Sequence, residues 1–557
     1  MKFIFIFLII VLVIVLWSNW YEKKLLKNLK KQLIDQWGNI PEEEYTYEKF
    51  EAIKAFYHSK QDDRFDVDEI TWNDLDMDDI FMLINNTQSS IGEEYLYALL
   101  RKPCFSKEEL EERNRLIKFF GQHQEERLSL QIALKKLGKP KDISIYKYIN
   151  RLDQQEPTSN WPHYIMAFGL LISLAFLFIE PSIGGIGTMI FFINNIYQYY
   201  KRKAQIDKYL IVFAYILRLL DSVNEIEELG IPEIKKYSDI LKQDASTFKS
   251  FKRGAFLLTP KNASGNILDA IVDYSRMLFH LDLVKYNSML LLFKKNREIL
   301  NRLFINIGFL DSMISAASFR KLLDYYCEPE LVKARKPFLT VNGLYHPLLE
   351  DPVSNSITEE GSVLITGSNA SGKSTFIKTL AINAILSETI FTSVSRSYCA
   401  SYFTVYSSMA LRDSIQSNES YYIVEIKSLK RILDRVNDHI PSLCFIDEVL
   451  RGTNTLERIA ASSRILASLS KKNALVFAAT HDIELTHILE NYYSNYHFQE
   501  RIINNEIIFD YKLFKGRAVS RNAIKLLGML GYSQDIITDA ENAAEGFQLN
   551  GEWEKLK

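Results

Sequence analysis

The sequence predicts an α/β domain over residues 336–545, preceded by an all-α region that carries apolar segments of membrane-spanning length. After residue 336, short apolar runs alternate with helical patterns, which is typical of a mostly parallel sheet covered by helices. Before it, apolar residues recur at three- and four-residue spacing in long segments without proline, at 206–229 and 267–307. The candidate strands are 338–341, 363–365, 442–446 and 474–479.

A glycine-rich segment follows the strand at 363–365 and precedes a helical pattern. Strand, glycine loop and helix form the setting of a phosphate-binding loop, because loop amides and a helix N-terminus attract phosphate oxygens. Lys373 is expected to reach the β- and γ-phosphates, and the Ser374 hydroxyl to bind Mg²⁺. A chance match is the alternative, and the flanking strand and helix argue against it. The predicted nucleotide-binding residues are Gly367, Ser368, Asn369, Ala370, Ser371, Gly372, Lys373, Ser374 and Thr375.

Two carboxylates end the apolar run at 442–446, about seventy residues after this loop. Asp447 is predicted to hold the Mg²⁺ shell, and Glu448 to orient or deprotonate the attacking water. A terminal Asp-Glu pair also occurs by chance, but its distance from the loop favours a functional role. The sequence therefore predicts ATP hydrolysis with Mg²⁺.

A histidine follows the last candidate strand. His481 would lie at the carboxyl edge of the sheet, where open α/β sheets bind ligands. A structural histidine is the ordinary interpretation of such a residue. Beside the two nucleotide motifs, we predict that His481 contacts the γ-phosphate and acts with Glu448 and Lys373 in catalysis.

Composition restricts the function classes only weakly. The 557 residues contain 67 Lys and Arg against 69 Asp and Glu, so bulk charge does not indicate a nucleic-acid-binding protein. The four cysteines are scattered and without a CxxC pair, which favours buried thiols in a reducing compartment.

The first apolar segment runs from Phe3 to Trp17 and is followed by lysines. With its flanking aromatic residues it is just long enough to span a bilayer, which needs about 20 residues. A cleaved signal peptide is the alternative, but no small-residue cleavage site follows the run. We expect an uncleaved anchor whose basic flank faces the cytoplasm, in the inner membrane of a bacterium.

A second apolar region lies between residues 164 and 197. A Glu-Pro pair at 180–181 and glycines at 184, 185 and 187 divide it, which predicts a membrane hairpin. A buried hairpin in a soluble core is the alternative. Because Lys201-Arg202-Lys203 follows the hairpin, this flank is also expected in the cytoplasm. The ATPase domain that follows is then expected on the cytoplasmic side.

The three nucleotide motifs fit an ABC-type P-loop ATPase domain, and their amino-acid sequences resemble those of one family. Residues 447–455, DEVLRGTNT, look like the DEIGRGTST block of the MutS family of mismatch-repair ATPases. Residues 367–375, GSNASGKST, are similar to its GPNMGGKST, and residues 480–485, THDIEL, resemble its THYFEL. Further similarity lies at 90–103, 310–315, 345–349, 418–425, 516–523 and 527–532, so that the resemblance covers about 70–150 and 200–545.

The resemblance implies a composite site in a homodimer formed through the ATPase domains. Ser420 would then approach the γ-phosphate bound in the opposite subunit; an ordinary polar loop residue is the alternative, because Tyr421-Tyr422 replaces the usual Thr-Phe. ATP binding would close the dimer, and the long helices would carry that closure outward. The family also implies binding to mismatched or branched DNA. Partner proteins are not indicated.

The sequence departs from the family at its DNA-contacting parts. Mismatch-sensing members insert a Phe-x-Glu motif into the minor groove, and the two Phe-x-Glu triplets here, at 178–180 and 498–500, lie in the hairpin and in the ATPase domain. We expect the mismatch reader to be missing and the hairpin to replace much of the clamp that grips DNA. The basic stretch 249–253 remains a candidate for phosphate contact, with a solvated surface as the alternative.

The predicted organisation follows from these segments. An anchor at 1–21 and a juxtamembrane segment at 22–69 precede core helices at 70–160, the transmembrane hairpin at 161–200, lever helices at 201–335, the MutS-like ATPase domain at 336–545 and a tail at 546–557. The predicted function is a membrane-anchored MutS-like ATPase that binds DNA. The alternative is a membrane-tethered ATP-driven switch or scaffold without a DNA role; an ABC transporter subunit is disfavoured because no LSGGQ-type signature is present.

Overall fold

The computed structural model describes residues 2–61, 65–140, 144–254, 274–368, 371–409, 421–451, 453–503, 506–518, 531–551 and the single positions 524, 527, 553 and 555. The chain divides into two compact units. The helical unit comprises Met1–Gln61, Phe81–Arg101 and Glu111–Leu322. The α/β unit comprises Asp62–Ile80, Lys102–Leu110 and Leu323–Lys557.

Helices account for the regular structure before residue 323 in the described part of the chain. They are α1 (Lys2–Asp35), α2 (Tyr47–Lys60), α3 (Glu69–Asp74), α4 (Met77–Ile84), α5 (Ser90–Arg101), α6 (Lys107–Gln122), α7 (Gln124–Lys135), α8 (Ile145–Asp153), α9 (Trp161–Phe176), α10 (Pro181–Glu228), α11 (Lys235–Ser246), α12 (Lys249–Lys252), α13 (Leu281–Lys295) and α14 (Arg297–Leu322).

The helical unit is built around α5 and α14, which pack closely because small residues lie between them. A Cβ added at Gly92 would lie 2.1 Å from the Asp311 carboxylate, and one at Gly308 would lie 2.6 Å from the Tyr95 side chain. Asp311 is completely buried and accepts hydrogen bonds from the amides of Gln88 (3.0 Å) and Ser89 (2.9 Å). It therefore caps the amino end of α5 from the neighbouring helix.

The amino-terminal helix α1 is attached to the helical unit by its last turns. Leu33 packs in a small core with Leu128 and Ile132 of α7. Trp37 lies just after the helix, and the guanidinium of Arg127 is 3.6 Å from the centre of its ring. Helix α1 is 34 residues long and unbroken, so the apolar segment near the amino terminus continues directly into a packed helix.

Helix α9 and the first part of α10 form an antiparallel hairpin in the expected region. A Cβ at Gly169 would lie 2.2 Å from the Phe191 ring, and one at Gly184 would lie 2.4 Å from the Leu177 amide, so glycines allow the two arms to touch. The remaining faces of both arms are apolar and exposed. The exposed large apolar side chains between residues 164 and 200 are Tyr164, Ile165, Phe168, Leu171, Ile172, Leu174, Phe176, Phe178, Ile179, Ile183, Ile186, Met189, Ile190, Phe192, Ile193, Tyr197 and Tyr200.

One described helix, α14, has both the length and the apolar composition to cross a membrane, and 72% of its most apolar window is buried. We therefore interpret α14 as the central helix of the helical unit. The shorter apolar helix α9 exposes most of its large apolar side chains, unlike α14. An apolar surface of this size marks a contact with lipid or with another protein.

The α/β unit contains two sheets. Its elements after residue 323 are β1 (Glu330–Val332), β2 (Leu339–Leu344), β3 (Asn355–Glu359), β4 (Ser362–Thr366), α15 (Lys373–Thr389), β5 (Ser397–Ser401), β6 (Thr404–Ser408), α16 (Tyr421–Arg435), β7 (Ser442–Asp447), α17 (Thr455–Leu469), β8 (Ala474–Ala479), α18 (Ile483–Ile488), β9 (Tyr493–Ile503), β10 (Glu506–Lys515) and α19 (Gln534–Asn550).

The larger sheet has the strand order β10-β9-β4-β8-β7-β6. Its strands are parallel except at the β9–β10 pair, and β4 and β8 are buried along their whole length. The smaller sheet has the order β1-β5-β2-β3 and mixed strand directions. The run at 338–341, expected in the parallel sheet, instead contributes β2 to the smaller sheet, because its partners β3 and β5 run antiparallel to it.

The acidic segment that contains α3 forms part of the α/β unit. Helix α3 covers the edge strand β6, where the Asp74 carboxylate accepts hydrogen bonds from the Ser407 hydroxyl (2.6 Å) and the Met409 amide (2.9 Å). Asp68 pairs with Arg431 of α16 (2.5 Å), and Asp76 with Lys378 of α15 (2.7 Å). The acidic residues are thus bound by basic side chains of two helices that flank the sheet.

We predict that Asp311→Asn destabilises the helical unit by about 2–3 kcal/mol. Burial raises the pKa of Asp311 to about 6, so at neutral pH the carboxylate is ionised and accepts three hydrogen bonds, including that of the Ser89 hydroxyl. The substitution replaces one carboxylate oxygen by an NH₂ group, which cannot accept the hydrogen bonds that the Gln88 and Ser89 donors make. Hydrogen exchange of α5 and α14 amides measures the loss locally. Asp239→Asn, at an exposed position on α11, is the matched control, and equal protection in both variants would contradict the prediction.

Candidate nucleotide-binding site

The candidate site lies where β4 ends and α15 begins. The connecting loop turns sharply through glycines: φ is +150° at Gly367 and +104° at Gly372, values that side chains with a Cβ rarely adopt. A Cβ at Gly367 would also lie 2.8 Å from the Phe498 carbonyl oxygen. The two glycines therefore bring the loop backbone close to β9. Asn369 and Ala370 of the predicted loop lie outside the described residues.

Lys373, the first residue of α15, is buried in the loop. Its ammonium donates to the carbonyl oxygens of Gly367 and Ser368, each at 2.8 Å. Burial, together with the nearby charge of Arg451, lowers the pKa of Lys373 to about 8, although Asp447 and Glu500 oppose this shift. A buried cation held by neutral carbonyl groups can be satisfied better by a phosphate anion, so the cradle suits a polyphosphate.

Two further hydroxyls of the loop bear on the fit of a phosphate. The Ser371 hydroxyl oxygen is buried and has no hydrogen-bond partner within the described part of the chain, although it lies in the concave side of the loop. The Ser368 hydroxyl donates to Glu500 of β9 at 2.8 Å. A bound phosphate would supply the acceptor that Ser371 lacks, and this supports the predicted role of the loop.

Ser374 and Asp447 meet at the carboxyl end of β7. The Ser374 hydroxyl donates to the Asp447 carboxylate at 2.5 Å. The described residues contain no group of three His, Cys, Asp or Glu that could hold a metal ion by itself. Because Mg²⁺ is commonly bound by one or two protein oxygens together with substrate phosphates and water, Ser374 and Asp447 are suitable ligands for it.

Glu448 follows Asp447 in a left-handed conformation, with φ of +54°. One carboxylate oxygen lies 2.9 Å from Nε2 of His481, and the other is paired with the Arg451 guanidinium. Burial, with Lys373 and Arg451 nearby, lowers the pKa of His481, so the imidazole is neutral near pH 7 and Nε2–H donates to Glu448. The structure thus brings Lys373, Glu448 and His481 to one edge of the sheet, and their catalytic roles stay predictions.

The turn after β7 is held by a residue that sequence analysis did not assign. Glu425 of α16 is buried and accepts hydrogen bonds from the amides of Leu450 and Arg451. Leu450 also has a positive φ, +60°, so this turn is strained in two places. Glu425 belongs to the segment 418–425 that carried the resemblance, whereas Ser420 of that segment lies outside the described residues.

The cavity next to the loop has a volume of about 510 Å³, within the range of about 300–1,000 Å³ usual for small-molecule sites. Beyond the phosphate loop it is lined by the aromatic rings of Phe498 and Tyr511 and by His346. These rings offer apolar surface for a nucleobase, and Lys373 and Glu448 line the same cavity. Sequence analysis missed the aromatic lining because β9 and β10 carry no nucleotide motif.

The parallel sheet, the glycine loop with its buried lysine, and the Asp-Glu pair at the adjacent strand end define a P-loop nucleotide-binding domain. Residues 363–548 match the MutS domain V family. This part of the chain is therefore similar to the ATPase domain of the MutS family.

Individual relatives agree with this assignment. The chain is 30% identical over 286 residues to MutS protein homolog 4 of Mus musculus, covering 48% of this chain and 29% of that protein. It is 27% identical over 263 residues to the DNA mismatch repair protein MutS of Thermotoga sp. strain RQ2, covering 45% and 32%. It is 22% identical over 395 residues to the DNA mismatch repair protein MSH3 of Debaryomyces hansenii, covering 61% and 38%. The matches thus span about a third of each relative.

We predict that ATP binding to this site takes up a proton above about pH 8. In the nucleotide-free protein Lys373 loses its charge as the pH rises through its lowered pKa, and a polyphosphate favours the charged form. The Kd for ATP should therefore be constant near pH 7 and rise by up to about tenfold per pH unit above pH 8. Calorimetric titrations in buffers of different ionisation enthalpy measure the uptake directly.

The proton balance near pH 7 is the internal control, because Lys373 is already charged there and His481 is neutral throughout the alkaline range. A Kd that stays constant from neutral to strongly alkaline pH would show that Lys373 does not titrate on binding.

Proposed function

We propose that this protein is a membrane-anchored MutS-like ATPase that hydrolyses ATP with Mg²⁺, dimerises through its α/β unit and binds DNA. The convergence of Lys373, Ser374, Asp447, Glu448 and His481 at one sheet edge carries the proposal. Membrane attachment, dimerisation and DNA binding rest on further observations of the sequence and fold.

In the proposed reaction each side chain has a distinct task. Lys373 would neutralise charge on the β- and γ-phosphates, and Ser374 and Asp447 would hold Mg²⁺. Glu448 accepts a proton from the attacking water, and neutral His481 donates from Nε2 toward Glu448 or the γ-phosphate. When bound, Mg²⁺ would neutralise negative charge on the phosphates.

The contact of Glu448 with Arg451 has a consequence for the reaction cycle. One oxygen of the Glu448 carboxylate is paired with the Arg451 guanidinium. In the proposed cycle Arg451 leaves Glu448 at the stage when Glu448 acts on water. The proposed segment around Ser420 of a second subunit would complete the site at the same stage.

Membrane attachment is supported by two exposed features of the helical unit. The hairpin of α9 and α10 presents apolar side chains over both arms, and α9 alone is about 24 Å long at about 1.5 Å per residue. With its connecting turn the hairpin approaches the thickness of a bilayer core, about 30 Å. Trp17, Trp20 and Tyr21 of α1 are also exposed, as interfacial aromatic residues are.

DNA binding is proposed from the family, since two relatives are named DNA mismatch repair proteins. The basic stretch at 249–253 gives it limited support. Lys252 is paired with Asp221 (2.8 Å), and Lys242 with Glu227. These ion pairs favour the second candidate function, a membrane-tethered ATP-driven switch or scaffold without a DNA role.

We expect Lys373→Ala to abolish ATP binding and Glu448→Gln to keep binding but slow hydrolysis by about 10²–10⁴-fold. The first variant removes the charge that holds the phosphates, whereas the second removes only the base. Fluorescent-nucleotide titration and phosphate release measure the two effects separately. Lys430→Ala and Glu484→Gln, both exposed in the same unit, are the matched controls.

The Glu448→Gln variant also tests the proposed dimer, because it should accumulate the ATP-bound form. Its mass by light scattering should double with ATP and not with ADP. Turnover by Glu448→Gln at the wild-type rate would dismiss Glu448 as the base, and a monomer at saturating ATP would argue against the dimer.

Duplex binding by the detergent-purified chain tests the DNA arm of the proposal. We expect affinity to depend on nucleotide and to fall linearly in the logarithm of salt concentration, because backbone contacts release counterions. Homoduplex, mismatched and branched DNA are compared by fluorescence anisotropy with ATP and with ADP. Lys373→Ala is the control for nucleotide dependence. An intact ATPase that binds none of these DNAs would favour the switch or scaffold.

A further inference from the structure

The foot of the hairpin is a surface that the ATPase function does not use. We define the hairpin foot as the end of the α9–α10 hairpin that joins the rest of the helical unit. It is formed by Trp161, Tyr164, Tyr197, Tyr200, Lys201 and Arg202. The aromatic members are exposed, from 41% for Tyr164 to 72% for Trp161, and the two basic residues are exposed as well.

Contacts between the two arms determine which foot residues lie at the same height. Met166 pairs with Asn195, whose side-chain amide donates to the Met166 carbonyl at 3.3 Å. Ser173 pairs with Thr188, 3.3 Å apart through their hydroxyls. Continued toward the foot, this antiparallel register sets Tyr164 level with Tyr197 and Trp161 level with Tyr200.

Lys201 and Arg202 come directly after this aromatic level. From the tip of the hairpin to its foot, the exposed side chains are therefore first apolar, then aromatic and then positively charged. Tyrosine and tryptophan prefer the boundary between hydrocarbon and headgroups, and Lys and Arg lie on the headgroup side of it. The sequence of surfaces along the hairpin matches that of one membrane leaflet.

A buried polar cluster holds the foot in this arrangement. Nε2 of His280 lies 3.0 Å from the Asn195 carbonyl oxygen and donates to it, so its Nδ1 accepts from Nδ1–H of His163, 2.9 Å away. Burial lowers the pKa of His280, in keeping with a neutral ring. The Tyr199 hydroxyl donates to the buried Asp282 carboxylate at 2.9 Å. The starts of α9 and α13 are thus tied to α10.

The three consecutive basic residues at 201–203 have different surroundings. Lys203 donates to the Tyr199 hydroxyl (2.6 Å) and lies 3.6 Å from Asp282, so its charge is compensated inside the cluster. Lys201 and Arg202 are exposed, and Arg202 also lines a small cavity beside His163. Both charges are accessible to the surroundings of the four aromatic residues.

We propose that the hairpin foot binds the headgroups of anionic phospholipids through Lys201 and Arg202. The inference rests on the proposed membrane insertion of the hairpin. Each basic residue at an anionic surface strengthens binding by about fivefold, so the pair should favour an anionic over a zwitterionic lipid by up to about 25-fold. The attraction is electrostatic and is screened at high ionic strength.

The test is lipid retention by the full chain, purified in detergent and mixed with equal amounts of phosphatidylglycerol and phosphatidylcholine. Native mass spectrometry counts the bound lipids of each kind. The wild type should retain phosphatidylglycerol preferentially, and Lys201→Gln with Arg202→Gln should remove most of this preference. High salt during mixing should have the same effect.

Two control pairs locate the effect. Lys235→Gln with Lys236→Gln changes an exposed basic pair on α11 and should leave the preference unchanged. Lys23→Gln with Lys24→Gln changes the flank of α1, which is itself expected near the membrane. A preference lost only in the Lys23 and Lys24 variant would assign lipid selection to α1 and overturn the inference.

Insertion of the hairpin is measured separately in sealed vesicles. Ser182→Cys lies near the hairpin tip and should react with a membrane-impermeant maleimide only after detergent is added, with the wild-type chain as the background for its own cysteines. Reaction without detergent would refute insertion, and with it the basis of the inference. A protected tip without preference for phosphatidylglycerol would refute headgroup binding alone.

Discussion

The nucleotide-binding site depends on the parallel pairing of β4, β8 and β7. Ile365 and Asp447 are both paired with Ala479, so the three strands end at one level. Across this level the Thr480 amide donates to the Ile365 carbonyl oxygen (3.0 Å) and the Glu448 amide to that of Ala479 (2.9 Å). These backbone bonds set the loop, the Asp-Glu pair and the histidine side by side, because parallel strands share one carboxyl edge. A shift of one strand by one residue would separate them.

This edge carries strain that the surrounding structure must offset. Glu448 and Leu450 both have positive φ, and such conformations cost about 1–3 kcal/mol each. Buried Glu425 accepts from two amides of the same turn, and Arg458 of α17 binds Asp482 through two hydrogen bonds of 2.7 and 2.9 Å. The turns after β7 and β8 are thereby fixed, so Glu448 and His481 keep their contact.

The residues that sequence analysis identified are those whose role follows from a strand end or a loop pattern. Lys373, Asp447 and His481 belong to this class, and they lie together. Residues that act through the fold were missed: Glu425 reaches the turn after β7 from a helix, and Tyr511 reaches the cavity from a strand without a motif. The packing of helix α3 is of the same kind, since Arg431 binds Asp68 and Ser407 binds Asp74 from positions far along the chain. Contacts between residues that are far apart in the chain leave no periodic pattern in the local sequence.

The two long helices of the helical unit restrict how a membrane-attached protein could act. Helix α10 is 48 residues long, or about 72 Å at 1.5 Å per residue, and its last turns are bound to α7 through the Glu225–Lys136 ion pair of 2.7 Å. Helix α1 is joined to α7 as well, through Leu33. Under the proposed membrane attachment, apolar segments of both helices would lie in a bilayer, and the helical unit would have two attachments instead of one. Under the proposed DNA binding, such a protein would act on a duplex that is brought to the membrane.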